Sequence, residues 1–497
     1  MRHVVAVDQS TSGTKAVLFD ETGRALAHAA RPHRQIYPRP GWVEHDAEEI
    51  YRNVLAVLGE LSAAAPAAVR GAACLSLTNQ RETFVVFDRA TGRPLHDAVV
   101  WQCRRGDPVC HRIAAAGHAE AVKERTGLAL DSYFPAPKIR RLLEDEELLR
   151  DAVRSGRAAI GTIDAYLVHR LTAGRVFATD HTNASRTLLF DIERLRWDEE
   201  LCALFDCPSA ALPEVRASAE SFGTTDAEGA LPSALPIRGV MGDSQAALFA
   251  QRAFAPGSAK VTLGTGSSVL LNVGDTARRS SRGIVTTVAW VHEGRPAYAF
   301  EGIINCTGAT VAWLKDQLGI LQSPEETERL ATSVEGNGGV YLVPAFVGLG
   351  APYWREDARA AIVGLSPHST RAHVARAALE AIAYQIRDVL DAMAVEAGRP
   401  LVELSADGGM VANGFLMQLI ADVARVDVRA STVPELSALG GALAGMLGTG
   451  LLGSLADVER LDLGVRRYTA ALPPARVDEL LDGWRRAVGQ TLHRGER

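Results

Sequence analysis

Asp243 stands where two patterns meet: the apolar pair Val240-Met241 runs through Gly242 into Asp243-Ser244, and the AALFAQ that follows has the composition of a helix. A carboxylate at the end of a strand and the start of a helix suits a base that takes a proton from an attacking hydroxyl. Phosphoryl transfer asks little basicity of such a group, because positioning and charge stabilisation supply most of the rate. The plain alternative is a helix cap, a role in which Asp and Ser are both common, and the two roles are compatible.

Asp8-Gln9-Ser10-Thr11-Ser12-Gly13-Thr14-Lys15 is a turn of small residues between two apolar runs. The backbone N–H groups of Thr11, Ser12 and Gly13 could approach phosphate oxygens, Lys15 could neutralise them, and Asp8 could hold Mg²⁺ through water. A hairpin whose Ser and Thr satisfy its own backbone explains the same residues. Local sequence favours the hairpin, since the segment is neither a P-loop nor a dinucleotide fingerprint. Gly264-Thr265-Gly266 is a second turn of this size, between KVTL and VLLNVGD, and the pair argues for a nucleotide site shared by two halves. Asp407-Gly408-Gly409, leading through Met410-Val411-Ala412 to Asn413, is a third glycine turn. It fits a base or ribose lying flat on backbone, or an ordinary helix start.

Arg81-Glu82 interrupts two apolar runs with adjacent opposite charges. A solvated edge is the common cause; the functional one is a clamp in which Arg donates to one hydroxyl of a polyol and Glu accepts from another. Trp101 after DAVV offers such a ligand an apolar wall, or simply belongs to the core. Thirteen histidines show no HxxxH or HExxH spacing, and the six cysteines show no CxxC pair, so a metal-hydrolase reading is set aside. Buried free thiols are expected instead.

These residues need a scaffold. Residues 3–30 alternate in the manner of three short antiparallel strands. A helical stretch over 48–64 precedes a second strand group, GAACLSLTNQ, TFVVFD and PLHDAVVW, and 107–170 reads mostly as helix. Strands are expected again around Ile284-Val285-Thr286 and Tyr298-Ala299-Phe300, then helices over 306–320, 325–334, 371–397, 412–425, 436–447 and 475–492. The likeness of VVAVDQSTSGTKAVLFD to the strand-turn-strand around 260–274 is a weak internal repeat, so two similar α/β halves meet near 246–258. No charge occurs between Glu435 and Asp457, but six glycines in that stretch fit a buried helix packed closely on a neighbour and then a turn, not a membrane span.

At 497 residues the chain exceeds one ordinary core, and a cleft between domains is the default ligand site. A net charge of -6 with scattered basic residues leaves no footprint for nucleic acid. The start at Met1-Arg2-His3 turns polar too soon for a signal peptide, so a cytoplasmic location is expected.

Taken together, IYPRPGWVEHD at 36–46, LTNQRETFVV at 77–86, AVVWQCRR at 98–105, TDHTNASRTLLFDI at 179–192, VYLVPAFVGLGAPYW at 340–354 and DGGMVANGFLMQ at 407–418 resemble the FGGY family of carbohydrate kinases, most closely its glycerol kinase branch. The resemblance covers essentially the whole chain. It implies an α/β fold of two actin-like, ribonuclease H-like ATPase domains, with the polyol and the first phosphate loop in residues 1–248 and the nucleotide in 249–497. It further implies ATP-dependent phosphorylation of glycerol with Mg²⁺, and assembly as a homodimer or homotetramer. Arg81, Glu82, Tyr133 and Asp243 match the polyol contacts, with Asp243 also the base, and Trp101 matches an apolar wall. Thr11, Ser12, Gly13 and Lys15 match the first phosphate loop, Thr265 the second, Gly308, Gly409 and Asn413 the adenosine surroundings, and Asp8 the carboxylate near magnesium.

The chain departs from that pattern at several points. Ser244 stands where a polyol-contacting glutamine is usual, and Ser268 where an aromatic wall is usual, which leaves room for a longer acceptor. A kinase for erythritol, threitol, xylitol or xylulose is therefore the alternative, and an actin-like ATPase without a small acceptor is a third reading. Ala312 replaces a glutamine near the nucleotide, and AEGALPSALPIRG at 227–239 lacks the glycine-arginine loop for fructose 1,6-bisphosphate. Regulation by that ligand is not expected, nor by histidine phosphorylation.

Overall fold

The computed structural model describes residues 2–493. The first half opens with β1 (His3–Gln9), β2 (Gly13–Asp20) and β3 (Ala25–Pro32), then α1 (Ala47–Ala64) and β4 (Ala72–Asn79). A long excursion containing α2 (Pro135–Asp145) returns to the sheet with β5 (Leu235–Gly242) and α3 (Asp243–Ala250). β1 pairs antiparallel with β2, placing Asp8 opposite Lys15, and β3 pairs antiparallel with β2. β4 and β5 extend the sheet in parallel from the other side of β1. Because side chains alternate across a strand, Val5 and Val7 face the apolar stripe of α1 while Val4 and Ala6 face the opposite layer. A central strand buried on both sides reads as a near-continuous apolar run.

The second half contributes β6 (Ser258–Leu263), β7 (Ser267–Gly274), β8 (Val285–His292), β9 (Arg295–Ile304), α4 (Gly308–Asp316) and α5 (Arg371–Ala397). It closes with β10 (Glu403–Asp407), α6 (Gly414–Ala424), β11 (Val428–Ser431), α7 (Leu436–Gly448), β12 (Val465–Tyr468) and α8 (Pro474–Leu492). Its sheet runs β8-β9-β7-β6-β10-β11-β12. The order β3-β2-β1-β4-β5 in the first half therefore recurs as β9-β7-β6-β10-β11 in the second. Both sets take the same directions, two antiparallel pairings followed by two parallel ones. The weak repeat expected from two turns is thus a repeat of topology, the ribonuclease H-like core built twice.

The strand group expected after α1 divides between two sheets. β4 joins the main sheet, whereas Phe84–Asp88 and Ala98–Val99 form a separate four-stranded sheet with Glu44–His45 and Ala158–Thr162. The break falls at Gln80-Arg81-Glu82, where Glu82 takes a left-handed conformation, φ 61°, that no strand can continue through.

The glycine-rich stretch forms α7, and no helix among the described residues is long and apolar enough to cross a membrane. α7 lies across the first sheet and α3. A Cβ on Gly440 would fall on the carbonyl of Ala246, one on Gly441 would meet Thr78 at 2.8 Å, and one on Gly445 would strike the Ser76 hydroxyl. All six cysteines are free and buried.

Candidate active site

β5 ends at Gly242, which takes the cap position of α3, and Asp243 is the first helical residue. No side chain caps this helix, so neither Asp243 nor Ser244 plays the capping part expected of them. Glycine is required at 242 because the Arg81 side chain passes over it: an added Cβ would lie 2.8 Å from Arg81 Cγ. The Asp243 carboxylate accepts from the Ser244 N–H at 2.6 Å and sits 3.4 Å from Arg81 Nε, with 35% of its side chain exposed. It is the partly open member of an otherwise buried cluster.

Arg81 anchors that cluster. Its guanidinium donates to both oxygens of Glu301 at 2.7 and 3.2 Å and to Gln245 Oε1 at 3.1 Å, and lies 3.8 Å from Glu82. Glu82 in turn accepts from Arg186 Nε at 2.6 Å, and Arg186 Nη1 is 2.6 Å from Glu301. Ser268 donates to Glu301 at 3.1 Å. Burial alone would push Glu301 up, but the guanidinium groups of Arg186 and Arg81 outweigh it and hold the carboxyl down at about 2. For Glu82 burial prevails over Arg81 and Arg186, and its pKa is raised. Two arginines and two glutamates thus share a site from which water is excluded, with Arg81, Glu82 and Arg186 contributed by the first half and Glu301 by the second sheet.

Trp101 and Tyr133 form the wall beside this cluster, ring centroids 5.3 Å apart, with Trp101 Nε1 donating to Thr11 Oγ1 at 2.9 Å. Burial and then the charge of Glu82 raise the Tyr133 phenol, which places the ring against the cluster. The first turn therefore reaches the wall through Thr11.

Asp8 is buried and accepts from Thr78 Oγ1 at 2.9 Å. Burial, then the nearby charge of Asp243, push it up to about 7. Lys15, expected to meet phosphate, has its ammonium 2.8 Å from both oxygens of Glu435, a residue of the other half. Asn413 is likewise engaged within the protein: its Oδ1 caps α6 from the Leu416 N–H at 2.9 Å and its amide donates to Thr327 at 3.3 Å.

Gly308 and Thr265 meet in a second group. The Gly308 N–H donates to the Gly264 carbonyl at 2.9 Å and the Ala309 N–H to the Thr265 carbonyl at 3.0 Å. A Cβ on Gly308 would come within 2.6 Å of Gly264 O and 3.7 Å of Met410 Sδ, and one on Gly408 would overlap the backbone of Leu263. Around Gly409 nothing lies within 4 Å of an added Cβ. The turns at 264–266 and 407–410 and the start of α4 therefore make one backbone-lined cradle.

Three members of the cluster escape sequence reasoning. Glu301 and Arg186 lie in apolar or mixed runs far from Arg81, and Lys260, buried in β6, faces Asp407, Arg81, Asp243 and Glu301. For Lys260 and Glu301 the one signal is a charged residue inside an otherwise apolar strand, as in Tyr298-Ala299-Phe300-Glu301, whereas Arg186 lies in a turn. Hollows of about 430 and 410 Å³ elsewhere are lined by pairs such as Arg476–Glu479 and Arg429–Glu403 that satisfy each other.

Two ribonuclease H-like units closing on one charged cluster are the architecture of actin-like ATPases and the sugar kinases built on them, and the fold assigns the chain to that class. Comparison with known proteins narrows it. The models for the FGGY family of carbohydrate kinases match residues 3–250 with the N-terminal domain and 259–449 with the C-terminal domain, and the chain belongs to that family. It is 46% identical over 494 residues to glycerol kinase 1 of Thermotoga maritima, covering 99% of each chain. It is 47% identical over 489 residues to the glycerol kinase of Symbiobacterium thermophilum, covering 98% of this chain and 97% of that protein. Among solved structures, Plasmodium falciparum glycerol kinase with ADP superposes with a TM-score of 0.95 at 33% identity, covering 100% of this chain and 99% of that one.

Proposed function

We propose that the chain transfers the γ-phosphoryl group of ATP to a terminal hydroxyl of glycerol. The hydroxyl oxygen forms a bond to phosphorus, the bond to the β–γ bridging oxygen breaks, ADP leaves, and the hydroxyl proton passes to Asp243. The observation that carries this reading is the placement of Asp243: a partly exposed carboxylate beside a buried Arg81–Glu82 pair, where the two sheets meet. Likeness to glycerol kinases at 46–47% identity over nearly the full chain supports the acceptor. Arg81 and Glu82 would bind the hydroxyls, Trp101 and Tyr133 would face the carbon chain, and Ser244 would stand beside the base. The cradle of Thr265, Gly308 and Gly409 would take the nucleotide, with Asn413 acting through the helix it caps. Thr11, Ser12, Gly13 and Lys15 would meet the phosphates, Lys15 exchanging Glu435 for them.

Magnesium fits Asp8. Two carboxylates that disfavour each other's charge, one with an oxygen left over from its bond to Thr78, are relieved by a cation. Bound there through water, Mg²⁺ would neutralise phosphate oxygens. A cytoplasmic location and a homodimer or homotetramer belong to the same reading; sedimentation checks the second.

Asp243→Asn should retain ATP binding while turnover falls by about 100-fold or more, as measured by coupled ADP release and by calorimetry. Retention of most of the activity would remove Asp243 from this role. A second reading, a kinase for a longer polyol or ketose, is favoured by one contact: Ser268 presents a hydroxyl, bonded to Glu301, at the edge of the cluster. Comparing kcat/KM for glycerol, erythritol, threitol, xylitol and xylulose separates the two.

A further inference from the structure

Lys138 lies in the first turn of α2, completely buried, and takes no part in the chemistry described above. Its ammonium faces three backbone carbonyls, those of Val100 at 3.1 Å, Trp101 at 3.3 Å and Tyr133 at 2.9 Å. The two wall residues come from separate segments, one following Ala98–Val99 and the other preceding α2. One side chain ties both segments together by their main chain.

An ammonium carries three N–H donors and meets three acceptors, so the charged form is fully satisfied. A neutral amine has two donors and turns its lone pair toward the third carbonyl, so it can hold the wall only in part. Burial pushes Lys138 down to about 7, against the pull of Cys103, Glu82 and Asp131 and with the push of Arg105. The group is therefore poised between the two forms near neutral pH.

We infer that Lys138 is a positioning residue for the acceptor pocket, whose proton is needed to keep Trp101 and Tyr133 in register with the Arg81–Glu82 pair. This rests on the proposed function, because it takes Trp101 and Tyr133 to be the wall against the polyol. Sub-ångström placement matters here, since a shift of about 1 Å in a positioning group can cost on the order of 100-fold.

The test is the pH dependence of KM for glycerol, measured separately from KM for ATP. Between about pH 6 and about pH 8.5 the glycerol KM of the intact enzyme should rise roughly ten-fold while the ATP KM stays level. Asp8 titrates in the same range but lies on the phosphate side, so its effect falls on turnover and ATP. Lys138→Met, which keeps the apolar stem without donors, should show the high glycerol KM at every pH. Lys138→Arg, which keeps its charge, should hold its glycerol KM constant through the window. A glycerol KM in the intact enzyme that is flat with pH overturns the inference, as does a Lys138→Met enzyme with the glycerol KM and pH profile of the parent. Should no polyol be phosphorylated at any pH, the proposed function fails instead, which is a distinguishable result.

Discussion

Glu301 concentrates the physics of the site. Its side chain is fully buried and its two oxygens serve Arg81, Arg186 and Ser268 together. Replacing it by glutamine keeps the shape but leaves two buried guanidinium groups with fewer counter-charges, and breaking such a pair typically costs about 3–5 kcal/mol. Glu301→Gln should therefore unfold at markedly lower urea and lose kcat/KM for glycerol; unchanged urea unfolding would show that Glu82 and Asp243 suffice. The pH dependence has a definite sign. A carboxyl held at about 2 against an ordinary 4.5 contributes stability that is complete above that ordinary value and is lost as pH falls toward 2. The shift corresponds to roughly 3 kcal/mol, so the variant's stability should fall less steeply than the parent's across that acid window. Asp243, Arg81 and Glu82 were legible because their neighbours form strand-turn-helix and strand-turn-strand patterns. Glu301 was not, because its partner Arg81 lies 220 residues away and only folding brings them together.

Among the elements, α7 shows how a composition can mislead and then be resolved. Its charge-free run has the length of a membrane span, yet the glycines fall on the side that meets Ala246, Thr78 and Ser76. In an exposed helix, changing glycine to alanine gains about 1 kcal/mol. At Gly440 the added methyl would land on a carbonyl that cannot give way, and overpacking of this kind costs about 1–3 kcal/mol. Gly440→Ala is thus expected to lower the denaturation midpoint, and a raised midpoint would mean that α7 can slide on the sheet. Helix boundaries were legible from periodicity, and the hairpin β1–β2 was legible from two apolar runs on either side of a turn of small residues. The division of the second strand group was hidden, because it turns on the left-handed backbone of Glu82, a conformation no propensity assigns to glutamate.

At the scale of the whole molecule, the ionic contacts that join the halves differ in kind. The Arg81–Glu301 pair is buried, whereas Lys15–Glu435 keeps 39% and 28% of its side chains exposed. Exposed pairs contribute about 0–1 kcal/mol. Glu435→Gln should accordingly leave stability within about 1 kcal/mol of the parent, and by freeing Lys15 for phosphate it should lower the KM for ATP. A raised KM would assign Glu435 itself to the nucleotide. The twofold repeat was visible in the sequence only as a likeness between two strand-turn-strand segments, since the parallel strands that complete each sheet are joined by insertions of different length.

The position of α7 also sets an order of events. One face of the first sheet, formed by Val4, Ala6, Val17, Phe19, Cys74 and Met241, is covered in part by Leu439, Leu443 and Met446. Those covering residues are made long after the strands they protect. While the ribosome works from α3 to α7, the nascent first half must carry a bare apolar surface, and only the emergence of α7 completes its cover. The two halves are therefore not independent folding units in the order of synthesis, and the exposed sheet is the surface on which a chaperone would be expected to dwell until translation nears its end.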